Sequence, residues 1–423
     1  MTQSSAGGVT GFRRGFTALR IHNFRLWFAG QAISVAGTWM QTTALGWLVV
    51  VLTGDGVALG TMLALQYLPL LLFGPIGGSL VDRFDVRRTV IATQASLGLL
   101  ALLLCVLVVI GQASMPVIYL VSLLTGVAGL VDNPARRSFV SELVGREHLS
   151  SAISLTGVLV NTSRVIGPAI AAIVIEVAGV GPCFLVNAVS YACVVVSLLA
   201  MRQRELIPHG ARPAGPTHML DTLRFVRAIP DLRRPLYSMA IAGTFAFEFS
   251  VVLPLLASQV FGGNGSTYGI FLAVLSVGGV LGSITAGAIE NPSGRWLEAS
   301  LLLSGAGMAL STAAPTIPTE MVALFLVGIA SFAFVAIGST VVQVNAGSEH
   351  RGRVLALWSM AFLGTTMVGA PTIGWVCATF GPRAGVAVGA ASCVVAGLLV
   401  VVDRAAPWRG RRTSRAALPR EAG

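Results

Sequence analysis

Residues Gly74–Arg88 read GPIGGSLVDRFDVRR, and this stretch decides the fold that the chain is expected to adopt. It begins as the apolar, glycine-rich end of a membrane span, where small residues let two helices approach closely. Charged residues follow at once: Asp82, Arg83, Asp85, Arg87 and Arg88. Such charges do not remain in hydrocarbon, so they predict a boundary between membrane and water.

The composition of the whole chain also indicates a membrane protein. Hydrophobic residues make up 55% of the 423 residues, charged residues make up 11%, and the mean hydropathy is +0.82. A crossing helix needs about 20 apolar residues, so the chain has room for about a dozen crossings joined by short loops. This composition excludes a soluble globular protein and leaves no room for a separate soluble domain.

The arginines predict the orientation of the spans. If the N-terminus is cytoplasmic, 26 of the 28 arginines fall in cytoplasmic segments, as the positive-inside rule requires. Of the other two, Arg383 lies outside and Arg164 lies within a span. We therefore expect a multi-pass protein of the cytoplasmic membrane with both termini in the cytoplasm. The predicted spans are residues 26–52, 57–81, 89–111, 116–136, 150–178, 182–201, 235–259, 267–289, 296–314, 320–344, 354–379 and 383–402.

A polar, proline-containing interval at the midpoint divides these spans into six and six. We predict an all-α membrane protein with twelve transmembrane helices in two pseudo-symmetric six-helix bundles. Part of the interval, His218–Ile229, is expected to form a short amphipathic helix on the membrane surface. The predicted parts are an N-terminal bundle over residues 1–201 with a cytoplasmic lead-in over 1–25, a cytoplasmic linker over 202–234, a C-terminal bundle over 235–402 and a basic cytoplasmic tail over 403–423.

A weak internal repeat supports two related halves. Gly167-Pro168 recurs as Ala370-Pro371, and Gly181-Pro182 recurs as Gly381-Pro382, each roughly 200 residues later. Repeats of this kind are typical of secondary transporters.

Several kinds of chemistry are excluded by the residues themselves. The chain contains no lysine, so it lacks the lysine of a phosphate-binding P-loop and cannot form a Schiff base. Its five cysteines all fall in apolar runs, which is typical of small buried hydrophobic residues and not of disulfides or metal ligands. We expect no enzymatic activity, no cofactor, no metal and no nucleic-acid partner.

The loop after the second span resembles the signature of the major facilitator superfamily. Its pattern G-x-x-x-D-R-x-x-R-R is matched by Gly78, Asp82, Arg83, Arg87 and Arg88. In that family the loop is a cytoplasmic latch between the two halves of a transporter. The alternative interpretation is a plain positive-inside loop.

Further stretches look like the enterobactin-exporter-like branch of this superfamily. They are Asn23-Phe24-Arg25-Leu26, Gly37-Thr38-Trp39-Met40-Gln41 and Asp132-Asn133-Pro134-Ala135-Arg136. The resemblance covers nearly the whole chain and implies a twelve-helix exporter of siderophores, drugs or similar amphiphiles, driven by proton exchange. Ser122 stands where many drug/proton antiporters carry an arginine, so the proton-coupling site must be argued from the residues.

A polar stripe runs along one face of the first span: Gln31, Ser34, Thr38, Gln41 and Thr42. Such a stripe either joins helices by hydrogen bonds or lines a water-filled path. We predict a path, because two glutamines lie a few turns apart. The predicted substrate cavity consists of Gln31, Ser34, Thr38, Gln41, Asn161, Phe245 and Glu248, although Phe245 also fits a lipid-facing or core position.

Glu248 and Arg164 are the ionisable residues placed deep inside predicted spans. An unpaired charge at such depth is costly, so each needs water, a partner or neutralisation. We predict that this pair couples transport to protons. The alternatives are a static ion pair and a glutamate that is simply hydrogen-bonded in the core.

Two smaller sets complete the predicted sites. Asp132 and Arg136 are expected to join the cytoplasmic latch, although a local pair one helical turn apart is an equal alternative. Gly126, Gly129, Gly167 and Pro168 are predicted helix-packing residues.

Together these patterns predict a monomeric secondary transporter, surrounded by lipid, that exports a small amphiphilic molecule by alternating access in exchange for protons. Two alternatives remain open. One is an importer or symporter on the same fold, and the other is a transport-inactive scaffold or sensor.

Overall fold

The computed structural model describes residues 16–81, 84–207 and 219–405, and within these ranges the regular secondary structure is helical throughout. Short 3-10 turns cover Thr17–Arg20 and Gln203–Glu205, and π-helical turns cover Leu256–Val260 and Met360–Gly364. The α-helices in chain order are α1 His22–Thr53, α2 Gly56–Val81, α3 Val86–Val109, α4 Met115–Ala178, α5 Gly181–Leu199, α6 Met219–Ala228, α7 Pro230–Phe245, α8 Phe249–Leu255, α9 Gly265–Gly287, α10 Gly294–Ala313, α11 Ile317–Asn345, α12 Gly347–Ser359, α13 Thr366–Phe380 and α14 Pro382–Ala405.

Ten helical stretches of the described residues are long and apolar enough to cross a membrane. One of them, α4, has 64 residues and a kink at Gly145, so its two arms supply two crossings. The 20-residue α10 packs against α14 at Gly305 and against α11 at Gly307, and it supplies a further crossing. The chain is therefore an all-α membrane protein with six crossings on each side of the linker, as the sequence predicts.

The fourth and fifth predicted spans are joined without the expected loop, because the two helical arms of α4 meet directly at a kink. The helical conformation extends from Met115 to Ala178 except at Gly145, where φ is 65° and ψ is −175°. This backbone region is essentially restricted to glycine. The expected loop between residues 137 and 149 is therefore a helical extension with a sharp corner.

The seventh predicted span, residues 235–259, is not one continuous helix. It begins earlier, at Pro230, and α7 ends at Phe245. Ala246, Phe247 and Glu248 then separate α7 from α8, and a π-helical turn follows α8. Glu248 thus lies at a break in the middle of a membrane crossing. Transporters commonly interrupt helices where they build a central binding site.

The helices alternate between two ends of the molecule. We call the end that carries Arg87, Arg146, Arg202, Arg295 and Arg404 the arginine-rich end. The opposite end, called here the far end, holds the turns at Gly54, Gly111, Gly179, Gly262 and Gly381, all with positive φ.

The two halves pack directly on each other towards the far end. A Cβ atom added at Gly60 of α2 would lie 2.3 Å from the Ala370 carbonyl oxygen of α13. In the same way, a Cβ atom at Gly269 of α9 would lie 2.8 Å from the Pro168 carbonyl oxygen of α4. Pro168 and Ala370 belong to the two copies of the repeated dipeptide noted in the sequence, so the same segment of each half contacts the other half.

The linker helix forms close to the predicted place. The sequence predicts a helix over His218–Ile229, and the structure has α6 at Met219–Ala228, while His218 lies outside the described residues. Phe225 of α6 stacks on His350 of α12, with 4.2 Å between ring centroids. One face of α6 therefore packs against α12 of the second half.

Candidate functional site

A cavity of about 640 Å³ lies between the two halves. The first half contributes walls from α1, α2 and both arms of α4. The second half contributes the break between α7 and α8, together with α9, α11, the π-helical turn before α13, and α13 itself. The cavity extends to Arg137 at the arginine-rich end, whereas the glycine contacts described above hold the halves together towards the far end.

Glu248 projects into this cavity from the break in the seventh crossing. Its side chain is 3% exposed, and its Oε1 atom has no hydrogen-bond partner. Thr366 lies beside the carboxyl group, and Tyr67 is within electrostatic range of it across the cavity. A Cβ atom at Gly369 would lie 2.9 Å from Oε1, so the glycine leaves the space that the carboxyl group occupies.

Arg164 reaches the same cavity from the second arm of α4. Its guanidinium carbon lies 5.0 Å from the ring centroid of Trp39 in α1 and 4.9 Å from that of Phe332 in α11. Such cation–π contacts hold a guanidinium group by its faces and leave its edge free to donate hydrogen bonds. No ion pair between Arg164 and a carboxylate occurs among the described residues, so the alternative of a static Glu248–Arg164 pair does not apply here.

A polar network forms part of the wall near the arginine-rich end. Asp132 is 2% exposed and accepts hydrogen bonds from Thr93 and Gln94 of α3, at 2.8 and 2.9 Å. Arg136 pairs with Asp132 at 2.8 Å and donates to Gln31 Oε1 of α1 at 3.0 Å. The network joins three helices of the first half and presents Arg136 to the cavity.

The predicted latch is only partly within the described residues. Asp82 and Arg83 lie outside them, and Gly78 lies in the last turns of α2. Arg87 donates from Nε and Nη2 to the Leu198 carbonyl oxygen at the end of α5, while the Arg88 backbone amide donates to Asp85.

The expected role of Asp132 and Arg136 in the latch stays a prediction, because Asp82 and Arg83 lie outside the described residues. Asp132 pairs with Arg136 of its own helix, as in the local-pair alternative, and neither of the described latch arginines bonds to it. Arg136 lines the cavity, whereas the Asp132 carboxylate is buried inside the first bundle against Thr93 and Gln94.

The seven predicted cavity residues separate into groups. Gln31, Thr38 and Glu248 line the large cavity. Gln41 lines a smaller adjoining pocket with Thr38, and its Oε1 atom accepts from Asn187 at 2.6 Å. Phe245 lines a small pocket within the second half, beside Glu248.

Two of the seven do not line a described cavity. Ser34 is 3% exposed and is packed inside the first bundle. Asn161 is exposed, and its amide donates to the Gly157 carbonyl oxygen of its own helix. The rotation of each helix, which a span prediction does not determine, turns these side chains away from the cavity.

The predicted packing residues differ in how closely another helix approaches them. A Cβ atom at Gly126 would lie 2.1 Å from the Gln66 carbonyl oxygen of α2, and one at Gly167 would lie 2.5 Å from Trp39 Cβ. Gly129, by contrast, has only Asn133 of its own helix within 4 Å among the described residues, at 3.8 Å, so no other described helix packs closely against it.

Some cavity residues have no obvious signal in the sequence. Tyr67 and Gln66 lie in an apolar span, and Phe332 lies in another. The only feature of the sequence that could have indicated these cavity residues is that Gln66-Tyr67 interrupts an apolar run. Glu320, the first residue of a predicted span, is also buried at the start of α11.

A membrane protein with a cavity between two pseudo-symmetric halves, closed on one side and extending to the other, has the architecture of a secondary transporter. The family model described as "Transmembrane secretion effector" matches residues 13–420. The chain belongs to this family of major facilitator transporters, and it is therefore a transporter and not an enzyme.

Known proteins show similarity over much of the chain. The enterobactin exporter EntS of Salmonella paratyphi A is 26% identical over 410 residues, which cover 95% of this chain and 94% of that protein. The staphyloferrin A transporter of Staphylococcus aureus is 25% identical over 262 residues, covering 62% of this chain and 66% of that protein. The crystal structure of the nucleoside transporter NupG superposes with a TM-score of 0.71 at 12% identity, over 92% of this chain and 100% of that one.

Proposed function

We propose that this protein exports an anionic amphiphile, such as a siderophore, across the cytoplasmic membrane in exchange for protons. The arginine-rich end would face the cytoplasm, as the positive-inside rule favours, and both termini would be cytoplasmic. The cavity would then be open to the cytoplasm and ready to accept a cargo made inside the cell. The protein is proposed to act as a monomer in lipid.

The environment of Arg164 carries the proposal for an anionic cargo. The guanidinium group lies between two aromatic rings at the cavity wall, with no carboxylate partner among the described residues. Arg137 and Arg136 line the same cavity, so its described ionisable side chains carry more positive than negative charge. A partly desolvated arginine binds carboxylate or similar oxygen anions in two-pronged geometry, and the aromatic rings suit an apolar portion of the same molecule.

The similarity to the enterobactin exporter and the staphyloferrin A transporter supports a siderophore as cargo. Both names refer to transport of an iron-binding metabolite. At about 25% identity the cargo itself can differ, so the proposal extends to the class and not to one compound.

Glu248 is the proposed proton carrier. An unpaired carboxylate is costly in an apolar site and tolerable in a wet one. Its proton occupancy should therefore change when the cavity passes between closed and open states. The surroundings of a residue at a helix break can also change between these states, because the two flanking helical segments can move separately.

Transport measurements in membrane vesicles test the direction and the class of cargo. Inverted vesicles with an acidic interior should accumulate radiolabelled enterobactin or staphyloferrin A, and right-side-out vesicles should not. Accumulation in right-side-out vesicles alone would establish the importer instead. Absence of movement of either compound in both preparations would contradict the siderophore proposal.

The role of Arg164 is tested with two variants. Arg164→Gln removes the charge and should abolish accumulation of either probe. Arg164→Lys keeps the charge but loses the planar group, and it should retain only part of the transport. Equal transport by Arg164→Gln and the unsubstituted protein would show that the cavity arginine does not bind the cargo.

A further inference from the structure

A second buried carboxylate lies in the second half, away from the large cavity. Glu320 of α11 is 0% exposed, although its neighbours Pro318 and Thr319 are exposed at the far end. Its Oε1 atom accepts a hydrogen bond from Ser311 of α10 at 2.6 Å, while its Oε2 atom has no partner. Glu320 therefore lies just beneath the far surface with unused hydrogen-bonding capacity.

A small cavity is lined both by Ser311, the hydrogen-bond partner of Glu320, and by Glu248. It offers about 20 Å³ to the centres of water molecules. A single water needs about 10–15 Å³ measured in this way. Glu248 also lines the large central cavity, so it is shared by both spaces.

The remaining lining of the small cavity is apolar and includes Phe245, Met308 and Leu324. A water held there would find its polar partners in the Glu248 carboxyl group and the Ser311 hydroxyl group. The unpartnered Oε1 of Glu248 is nine-tenths or more buried, as is the unpartnered Oε2 of Glu320. Glu320 thus bonds to Ser311, and Ser311 and Glu248 line the same water-sized space.

We propose that Glu320, Ser311 and a water in the small cavity form a proton route from the far surface to Glu248. This route meets the proposed path of the cargo only at Glu248, and it builds on the proton-carrier role proposed above for that residue. It lies entirely inside the second half.

The transfer is balanced at each step. A proton from water at the far end binds the Glu320 carboxylate. Glu320 then passes its proton to Ser311 Oγ, while the Ser311 hydroxyl proton passes to the water, and the water gives one of its protons to the Glu248 carboxylate. The Ser311 hydroxyl group must first rotate, because it donates to Glu320 in the structure.

Charged and titratable groups close to the route are few among the described residues. Arg383 of α14 is exposed, donates to the Ala314 carbonyl oxygen at 2.7 Å, and lies within electrostatic range of Glu320. It would attract the ionised form of Glu320 between transfers. At the other end of the route, Arg164 and Tyr67 are titratable groups that line the central cavity together with Glu248.

Proton flux without any cargo tests the route directly. The full-length protein is reconstituted in liposomes containing a pH-sensitive dye, and a potassium gradient with valinomycin drives proton entry. Because Glu248 also borders the central cavity, the unsubstituted protein should pass protons faster than protein-free liposomes. Glu320→Gln and Ser311→Val should lower the flux to near the protein-free rate.

Matched variants separate the hydroxyl group from packing. Ser311→Thr restores a hydroxyl group in almost the same shape as valine, so it should recover the flux. Thr312→Val changes the adjacent residue, whose hydroxyl group donates to the Ala309 carbonyl oxygen of its own helix, and should leave the flux unchanged. Elution of each variant as one symmetric peak in detergent establishes that it is folded.

The outcomes distinguish this proposal from the one on which it builds. If Glu248→Gln stops the flux while Glu320→Gln and Ser311→Val do not, the proton reaches Glu248 by another way and the route is wrong. If all variants and the unsubstituted protein match protein-free liposomes, the route is also wrong. Survival of pH-driven cargo accumulation in Glu248→Gln would instead overturn the carrier role itself.

Discussion

At the scale of single residues, the first membrane helix offers a direct test of which side chains face the cavity. Thr38 is exposed to the cavity, and its hydroxyl group lies 3.2 Å from that of Tyr191, whereas Ser34, one turn earlier, is 3% exposed. In a protein without its native cysteines, Thr38→Cys should react rapidly with a water-soluble thiol reagent. Ser34→Cys is the matched control and should react slowly. Equal reactivity of the two cysteines would show that the helix is rotated differently in the membrane.

Glu248 permits a second prediction at this scale. Glu248→Gln keeps the size and hydrogen-bonding capacity of the side chain but cannot bind and release a proton. We expect exchange of labelled for unlabelled enterobactin to continue, while accumulation driven by an imposed pH gradient is lost. The two rates are measured in the same proteoliposome preparation, so loss of both would indicate a structural role for the carboxyl group.

At the scale of the element, the corner of α4 depends on one glycine. Gly145 has a positive φ in a region essentially limited to glycine, and an added Cβ atom would lie 3.1 Å from Ile207 Cδ1. Strain of this kind costs about 1–3 kcal/mol, so Gly145→Ala should lower the thermal unfolding temperature in detergent. Gly157→Ala lies in the same element with open space around it and should leave that temperature equal or higher. Equal unfolding temperatures of the two variants would show that the backbone at Gly145 is not strained.

At the scale of the whole molecule, contact between the halves near the far end depends on paired glycines. A Cβ atom at Gly374 would lie 2.2 Å from the Gly56 carbonyl oxygen, so Gly374→Val should prevent close contact and favour opening at the far end. Spin labels placed across the halves at that end should report longer distances. Gly287→Val, where no atom lies within 4 Å of an added Cβ, is the control and should leave the distances unchanged. Unchanged distances in Gly374→Val would mean that other contacts hold this end closed.

Much of this protein follows from its sequence alone. Apolar runs of the length of a membrane crossing, arginines at alternate turns and a proline-containing midpoint specify twelve crossings in two halves, because water and hydrocarbon select residues by local composition. The depth of Glu248 and Arg164 could be predicted for the same reason, since depth along a span is a matter of counting residues. The loop signature after the second span indicated the superfamily.

Only the tertiary structure decided how these residues are arranged around the site. Helix rotation determines that Thr38 faces the cavity while Ser34 and Asn161 do not, and the apolar composition of a span does not specify that angle. Trp39 and Phe332 come from different halves, so their contact with Arg164 depends on how the bundles pack. The same holds for Glu248, Ser311 and Glu320. Glu248 and Ser311 line one small cavity and Glu320 bonds to Ser311 only after folding, because packing between segments distant in sequence cannot be read from any single stretch.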